Sequence, residues 1–202
     1  MELRSGAHRI IVAVLLALDV HYRPVTVAGR GTGIRRERAK AVGLSFGDWA
    51  AAEAIAIEHV WVEDVAAYRP GRFFERELPC LLAVLARFDL APFRAIVVDG
   101  YVHLDEDGRA GLGQRLYTAL GEQTPVVGVA KRAFARTGSA AVPLLRGASA
   151  TPLYVSAAGM PLPEAAAHVA TMHGAYRTPT LLRLLDHHTK YDSDGPPLPE
   201  VD

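Results

Sequence analysis

The stretch Arg94-Ala95-Ile96-Val97-Val98-Asp99-Gly100 decides how this chain is read. Ala95 to Val98 run without a polar break and stop at Asp99-Gly100. A short continuous apolar run of this kind fits a strand buried on both faces, as in sheets covered by helices. A carboxylate where such a strand emerges lies at the sheet edge where open α/β sheets place their ligands. Strand-to-loop turns also favour Asp for backbone reasons alone, so Asp99 gains meaning only from partners elsewhere.

Other apolar runs end the same way. Residues 10–18, I-I-V-A-V-L-L-A-L, form a second buried strand that stops at Asp19 and is followed by Val20, His21 and Tyr22. P-V-V-G-V-A (125–130) stops at Lys131. The amphipathic segment L-G-Q-R-L-Y-T-A-L-G lies between Asp99 and that strand, so strand, helix and strand imply a parallel pair with a right-handed crossover. A-V-G-L-S-F (41–46) and E-A-I-A-I-E-H-V-W-V (53–62) alternate in polarity around a Gly47-Asp48 turn. They extend the sheet antiparallel to residues 10–18, with Ile55, Ile57, His59 and Trp61 sharing one face and His59 read as a core histidine. L-L-R-G and T-P-L-Y-V-S (151–156) read as a further hairpin, and two helices close the chain.

Composition bounds the function. The 202 residues, 50% apolar and 22% charged, are sufficient for a single domain over 1–190. The tail 191–202, Y-D-S-D-G-P-P-L-P-E-V-D, reads as disordered. The net charge of zero leaves no polycationic field, so any nucleic-acid contact must be local. Cys80 is the single cysteine and excludes an internal disulfide, which suits a reducing cytoplasm; packing is its expected role. Arg4, His8 and Arg9 before the first apolar run mimic a secretory signal. That run is too short to span a bilayer and ends at Asp19 without a small-residue cleavage site. A cytoplasmic protein without membrane association is therefore expected.

Two segments are less regular. In residues 72–88, Phe74, Leu78, Leu81, Leu82 and Leu85 recur at helical spacing. Pro79 suits a first helical turn, so the helix is expected to begin near it, with Glu77 just ahead in a capping position. The segment P-V-T-V-A-G-R-G-T-G-I-R-R-E-R-A-K (24–40) reads as a mobile basic loop or hairpin. It lacks the G-K-[ST] of a phosphate loop, and either faces solvent or touches a nucleic-acid backbone. His187-His188 are adjacent, share no helix face for ligation, and read as a solvated pair.

Asp19 and Asp99 at neighbouring strand ends would repel each other in a partly dry site, with Glu77 as a third acidic candidate. A divalent cation relieves that repulsion, and ligation by oxygen alone suits Mg²⁺ or Mn²⁺. Lys131 would meet phosphate charge or orient water. The pattern points to metal-assisted phosphodiester chemistry.

The order of the pieces L-D-V-H-Y (18–22), Y-R-P-G-R-F-F-E-R-E-L-P (68–79), V-V-D-G (97–100), V-G-V-A-K (127–131) and L-Y-V-S (153–156) resembles the endonuclease V family. The resemblance spans about residues 10 to 185. It implies an α/β, RNase H-like fold in which antiparallel hairpin strands are followed by parallel strands, flanked by helices. It further implies Mg²⁺-dependent (or Mn²⁺-dependent) nicking of DNA or RNA near deaminated, inosine-type purines. By position, Asp19, Glu77 and Asp99 are the implied metal ligands and Lys131 the implied active-site lysine. Tyr68, Arg69, Pro70 and Gly71 match the wedge that pries at the duplex. With Tyr22, Gly100, Tyr101 and His103 they make up the implied nucleic-acid-binding set, around a pocket for a flipped base. The chain departs from the family pattern at Tyr101, where a His is expected, at His103, which is displaced, and at Gly159, where a metal-site His is expected. Two alternatives stay open: a nucleic-acid-binding protein of this fold with weak or no catalysis, and a nuclease of this fold with another substrate.

Overall fold

The computed structural model of the protein describes residues 14–27, 34–63, 65–88, 93–134 and 137–192. The start of the first apolar run (10–13), the middle of the basic Gly-rich segment (28–33) and the tail from 193 lie outside the described residues. Among the described residues the strands are β1 (Leu15–Val27), β2 (Ile34–Phe46), β3 (Ala56–Val62), β4 (Ala95–Asp99), β5 (Val126–Ala130), β6 (Val142–Leu144) and β7 (Leu153–Ala158). The helices are α1 (Phe74–Leu85), α2 (Leu112–Ala119), α3 (Leu162–Thr171) and α4 (Thr180–Lys190). The strands form one seven-stranded sheet in the order β3-β2-β1-β4-β5-β7-β6. β1, β4 and β5 pair in parallel, and every other pairing is antiparallel.

The continuous apolar strands lie in the middle because each is covered twice. Leu15, Ala17, Val97, Val127 and Val129 face α3 and α4. Leu16, Leu18, Ile96, Val98 and Val126 face α1 and α2. Period-two alternation thus sends successive side chains of β1 and β4 into opposite cores. The β4-α2-β5 unit is the parallel pair the sequence implied. Cys80 is buried in the second core and carries no disulfide. None of the described helices is long and apolar enough to cross a membrane.

The structure differs from the sequence reading at several points. β1 does not stop at Asp19; it continues to Val27, paired with β2 along its whole length. What stops at Asp19 is the pairing with β4, whose last partners are Leu18 and Val98. The antiparallel ladder with β2 satisfies the backbone beyond that point; β3 still backs β2 as far as Ala39, opposite Tyr22, and from Arg23 the pair persists as a two-stranded ribbon. For the same reason β2 begins at Ile34 instead of 41. His59 is exposed, not in the core, because β3 is an edge strand. α1 begins at Phe74 and runs through Pro79. The ring removes one backbone hydrogen bond, at a cost of about 3 kcal/mol, but Pro79 faces solvent while Cys80, Leu81, Val84 and Leu85 are buried. Glu77 therefore sits within the helix and does not cap it. Tyr191 and Asp192, expected in a disordered tail, are placed and bonded to the sheet.

One close approach ties the fold to the sheet edge. Gly100, at φ +138, turns the chain back so that its carbonyl and the Val102 amide lie over Gly128 of β5. A Cβ at position 128 would sit 2.5 Å from the Gly100 carbonyl oxygen and 2.6 Å from Ser156 Oγ, which itself accepts a hydrogen bond from the Val102 amide. Gly128→Ala is expected to lower stability by about 1–3 kcal/mol, the usual cost of overpacking. Urea unfolding monitored by circular dichroism measures this, and an unchanged midpoint would contradict the packing described.

Candidate active site

The register of the central strands builds the site. Leu18 pairs with Val98, so Asp19 and Asp99 follow side by side where the parallel pairing ends. Neighbouring strands lie about 4.7–4.9 Å apart, and both residues follow positions that face the α1 side, so both turn to the α4 side. Asp99 pairs with Val129, and Lys131 lies two residues further on the same face of β5. Lys131 Nζ donates to Asp99 Oδ2 at 2.9 Å. Its carbonyl, together with that of Pro152, accepts from Arg177 Nη2, which fixes the end of β5.

α4 supplies a residue that the sequence reading missed. Asp186 Oδ1 accepts from Lys131 Nζ at 3.2 Å, and Asp186 Oδ2 accepts from Lys190 Nζ at 2.6 Å. One turn on, the single hydroxyl proton of buried Thr189 is shared between the Asp186 carbonyl at 2.8 Å and Asp19 Oδ2 at 3.3 Å. Asp19, Asp99, Lys131 and Asp186 line one cavity over Val97 and Val129. The signal in the sequence is faint: Leu181, Leu185 and Thr189 form the buried stripe of α4, and Asp186 borders it.

Glu77 reaches the same field from α1 and is buried. Burial pushes its carboxyl up to about 9, and the Asp19 and Asp99 carboxylates add to the shift against Arg76. Asp19 is pushed up to about 7, by burial first and then by Asp99, against the Val20 amide and Lys131. Burial works to lower the Lys131 ammonium, but Asp99, Asp186 and Asp19 outweigh it and hold the group above its ordinary value. Burial works to raise Asp186, but Lys190 and Lys131 outweigh it and hold that carboxyl below its ordinary value. Asp19 and Glu77 are thus carboxylates short of positive charge in a partly dry place.

That shortage is what a divalent cation relieves. Asp19, Glu77, Asp99 and Asp186 offer oxygen donors only, which fits Mg²⁺ or Mn²⁺ in kind and charge. Among the described residues no three acidic, histidine or cysteine side chains stand close enough to hold an ion together. Lys131 instead bridges Asp99 and Asp186. Gly159 is no lost ligand of this site. Ala158 pairs with Val126 at the start of β5, so Gly159 lies at the opposite sheet edge, against Tyr117 and Pro125.

The segment matched to a wedge stands beside the acidic groups. Tyr68 and Phe73 are exposed, with ring centroids 6.3 Å apart, and Arg69 to Arg72 form a turn with Gly71 at φ +75. Tyr22 packs under this turn, 6.1 Å from the Phe73 ring and 4.2 Å below the Arg76 guanidinium, which pairs with Glu37 at 2.6 Å. An open cavity of about 310 Å³ separates Gly71 and Phe74 from Gly100, Tyr101 and Gly111, with Glu77 and Asp99 at one wall. The Tyr101 hydroxyl donates to the Arg132 carbonyl at 2.7 Å, which sets its ring in that wall. His103 bridges Ala110 across a small loop-back.

No family model and no curated protein matches the chain. Solved structures do. A Bacillus subtilis endonuclease V superposes with a TM-score of 0.68 at 17% identity, over 89% of this chain and 80% of that one. Human ENDOV gives 0.62 at 21% identity, over 89% and 83%. Ciona intestinalis endonuclease V, in complex with a 24mer DNA containing an inosine followed by a ribo-adenosine, gives 0.65 at 15% identity, over 89% and 84%. The chain therefore has the RNase H-like fold of the endonuclease V structures.

The raised carboxyls set a pH dependence. A carboxyl with a higher pKa folded than unfolded holds its proton more tightly in the native state, so its contribution to stability falls as pH rises between the two values. For Asp19 that window runs from its ordinary value near 3.8 to about 7, and for Glu77 from 4.5 to about 9. In EDTA, the stability of Asp19→Asn relative to the parent is expected to increase from pH 5 to pH 8. Urea midpoints across that range check it, and parallel profiles would refute the charge shortage at Asp19.

Proposed function

We propose that the chain is a divalent-cation-dependent endonuclease of the endonuclease V type, acting on DNA or RNA that contains a deaminated purine. The observation that carries this reading is the cavity that Asp19, Asp99 and Asp186 line beside Lys131, with Glu77 coupled electrostatically to Asp19 and Asp99, on the fold of the endonuclease V structures. Asp19, Asp99, Glu77 and Asp186 are the residues that would hold Mg²⁺ or Mn²⁺, once Lys131 releases its bridge between Asp99 and Asp186 and the carboxylates close on the ion. When bound, such a cation supplies Lewis-acid stabilisation of the phosphoryl oxygens and lowers the pKa of water.

The remaining roles belong to the side chains. Lys131 keeps its proton throughout the physiological range and presents it to phosphate oxygen, with Arg177 holding its backbone in place. Thr189 orients Asp19 through Oδ2 and leaves Oδ1 to the Val20 amide. The exposed Tyr68-Arg69-Pro70-Gly71 turn opens the stack, and the cavity behind it receives the displaced base between Phe74 and Tyr101. Its volume of about 310 Å³ lies within the roughly 300–1,000 Å³ common to small-ligand sites. The backbone of Gly71, Gly100 and Gly111 suits close approach to a planar ring.

One observation favours a second reading, a nucleic-acid-binding protein of this fold without catalysis. Lys131 already neutralises Asp99 and Asp186, two of the four acidic groups. Nicking assays separate the two. Inosine-containing oligonucleotides are expected to be cut in Mg²⁺ or Mn²⁺, and EDTA should abolish cutting. Asp99→Asn and Asp186→Asn should each reduce the rate by at least about 100-fold, the upper end of what loss of an outer-shell partner costs a metal site. Undiminished cutting by Asp99→Asn would sink the assignment.

A further inference from the structure

Beyond the carboxylates, the α4 side of the β1–β2 ribbon gathers Arg23, Arg38 and Lys40 around one indole. The Arg23 and Arg38 guanidinium carbons lie 5.0 and 4.1 Å from the Trp61 ring centroid, and Lys40 Nζ lies 5.8 Å from it. Register places them there: Arg23 faces Arg38 across β1 and β2, and Lys40 faces Trp61 across β2 and β3. The ring quadrupole offsets part of the repulsion among three cations, and an anion must supply the rest.

Asp192 is that anion. Its Oδ2 accepts from Arg23 Nη1 and its Oδ1 from Lys40 Nζ, each at 3.2 Å. The Lys190 and Tyr191 carbonyls, at the negative end of α4, take further donors of Arg23 and Lys40 at 2.7 Å each. A single carboxylate thus bridges two of the three cations through separate oxygens, while its own side chain is 63% exposed. Arg38 Nε is buried without a hydrogen-bond partner.

The cluster is in line with the candidate active site. Asp19, His21 and Arg23 occupy every second position of β1 and so share a face, which puts Arg23 about 13 Å along the strand from Asp19. Measured along the axis of a duplex, where one strand rises roughly 3.4 Å per nucleotide, that distance spans about four nucleotides.

We propose that Arg23, Arg38 and Lys40 around Trp61 form a docking site for a backbone phosphate of the nucleic-acid strand leading to the carboxylates, and that Asp192 occupies this site in cis until the strand displaces it. The proposal rests on the nucleic-acid reading above and adds the path of the strand. A phosphodiester presents two non-bridging oxygens, which match the two-oxygen bridge that Asp192 makes between Arg23 and Lys40, and it carries the charge that Arg and Lys pair with most readily. Nucleic acid then meets a local cation site on a chain of zero net charge.

Fluorescence anisotropy tests this with inosine-free DNA and RNA oligonucleotides of about twelve nucleotides, in EDTA, so that neither cleavage nor lesion recognition contributes. Asp192→Asn is expected to tighten binding several-fold. Arg23→Gln and Arg38→Gln should each weaken it and lower the slope of log K against log salt by about 0.7–0.9, the value of one phosphate contact. Arg23→Lys should restore the slope, which a purely structural defect would not. Unchanged affinity and slope in the Gln variants would overturn the proposal, whatever the nicking assay gives. Millimolar inorganic phosphate that raises the Tm of the parent but not of Arg23→Gln, with oligonucleotide binding equal in both, would make the cluster a free-phosphate site and also overturn it. The binding shifts without any nicking would leave the docking site standing and remove only the nuclease reading.

Discussion

Electrostatic repulsion between carboxylates at one sheet edge is the constraint around which this molecule is arranged. The pairing of Leu18 with Val98 places Asp19 and Asp99 on adjacent strands at one level. α1 brings Glu77 within the electrostatic reach of both, and α4 brings Asp186 to the Lys131 ammonium beside Asp99. A protein interior tolerates such a gathering only with compensation, and the chain offers one shared ammonium, Lys131, with Lys190 at the margin. The remaining imbalance appears as the raised carboxyls of Asp19 and Glu77. Stability would be better served by neutral residues at Asp19 and Glu77; on the proposed reading, the acidic set is a receptor for positive charge.

The rest of the fold holds that edge open. β1 and β2 continue past it as a ribbon, the Gly100 turn folds back over Gly128, and α4 leans on β1 and β2 through Leu181, Leu185 and Thr189. The aromatic turn at Tyr68 to Phe73 and the cavity behind it flank the carboxylates on the α1 side, while the cations around Trp61 flank them on the α4 side. A phosphodiester strand laid across the edge would meet an aromatic wedge on one side and a phosphate contact on the other.

Much of this was legible in the sequence, and the misses share a cause. Asp99, Asp19 and Lys131 were readable because each follows an unbroken apolar run, and a strand's direction places its terminal residue. Glu77 was pointed to by the family resemblance, seven residues after Pro70, although the helix around it was misplaced: a proline is a strong local signal, and burial of one helix face outweighed it. Asp186 was not readable, since a carboxylate beside a helical apolar stripe looks like any solvated residue until the packing of α4 is known. Gly159 misled for the complementary reason, because only the antiparallel pairing of β7 with β5 shows that it points away from the site. The extension of β1 through Pro24 was hidden by its polar residues, which suit a two-stranded ribbon and not a covered sheet.

On the proposed reading, this acidic edge is a cation site held partly protonated until an ion arrives. Calorimetric titration of Mn²⁺ at pH 7, in two buffers of different ionisation enthalpy, counts the protons released on binding. Saturable binding with net proton release is the predicted result, reduced in Asp19→Asn, because Asp19 near 7 and Glu77 near 9 give up protons to the ion. Absence of saturable binding, or binding with no proton release in either buffer, would contradict it.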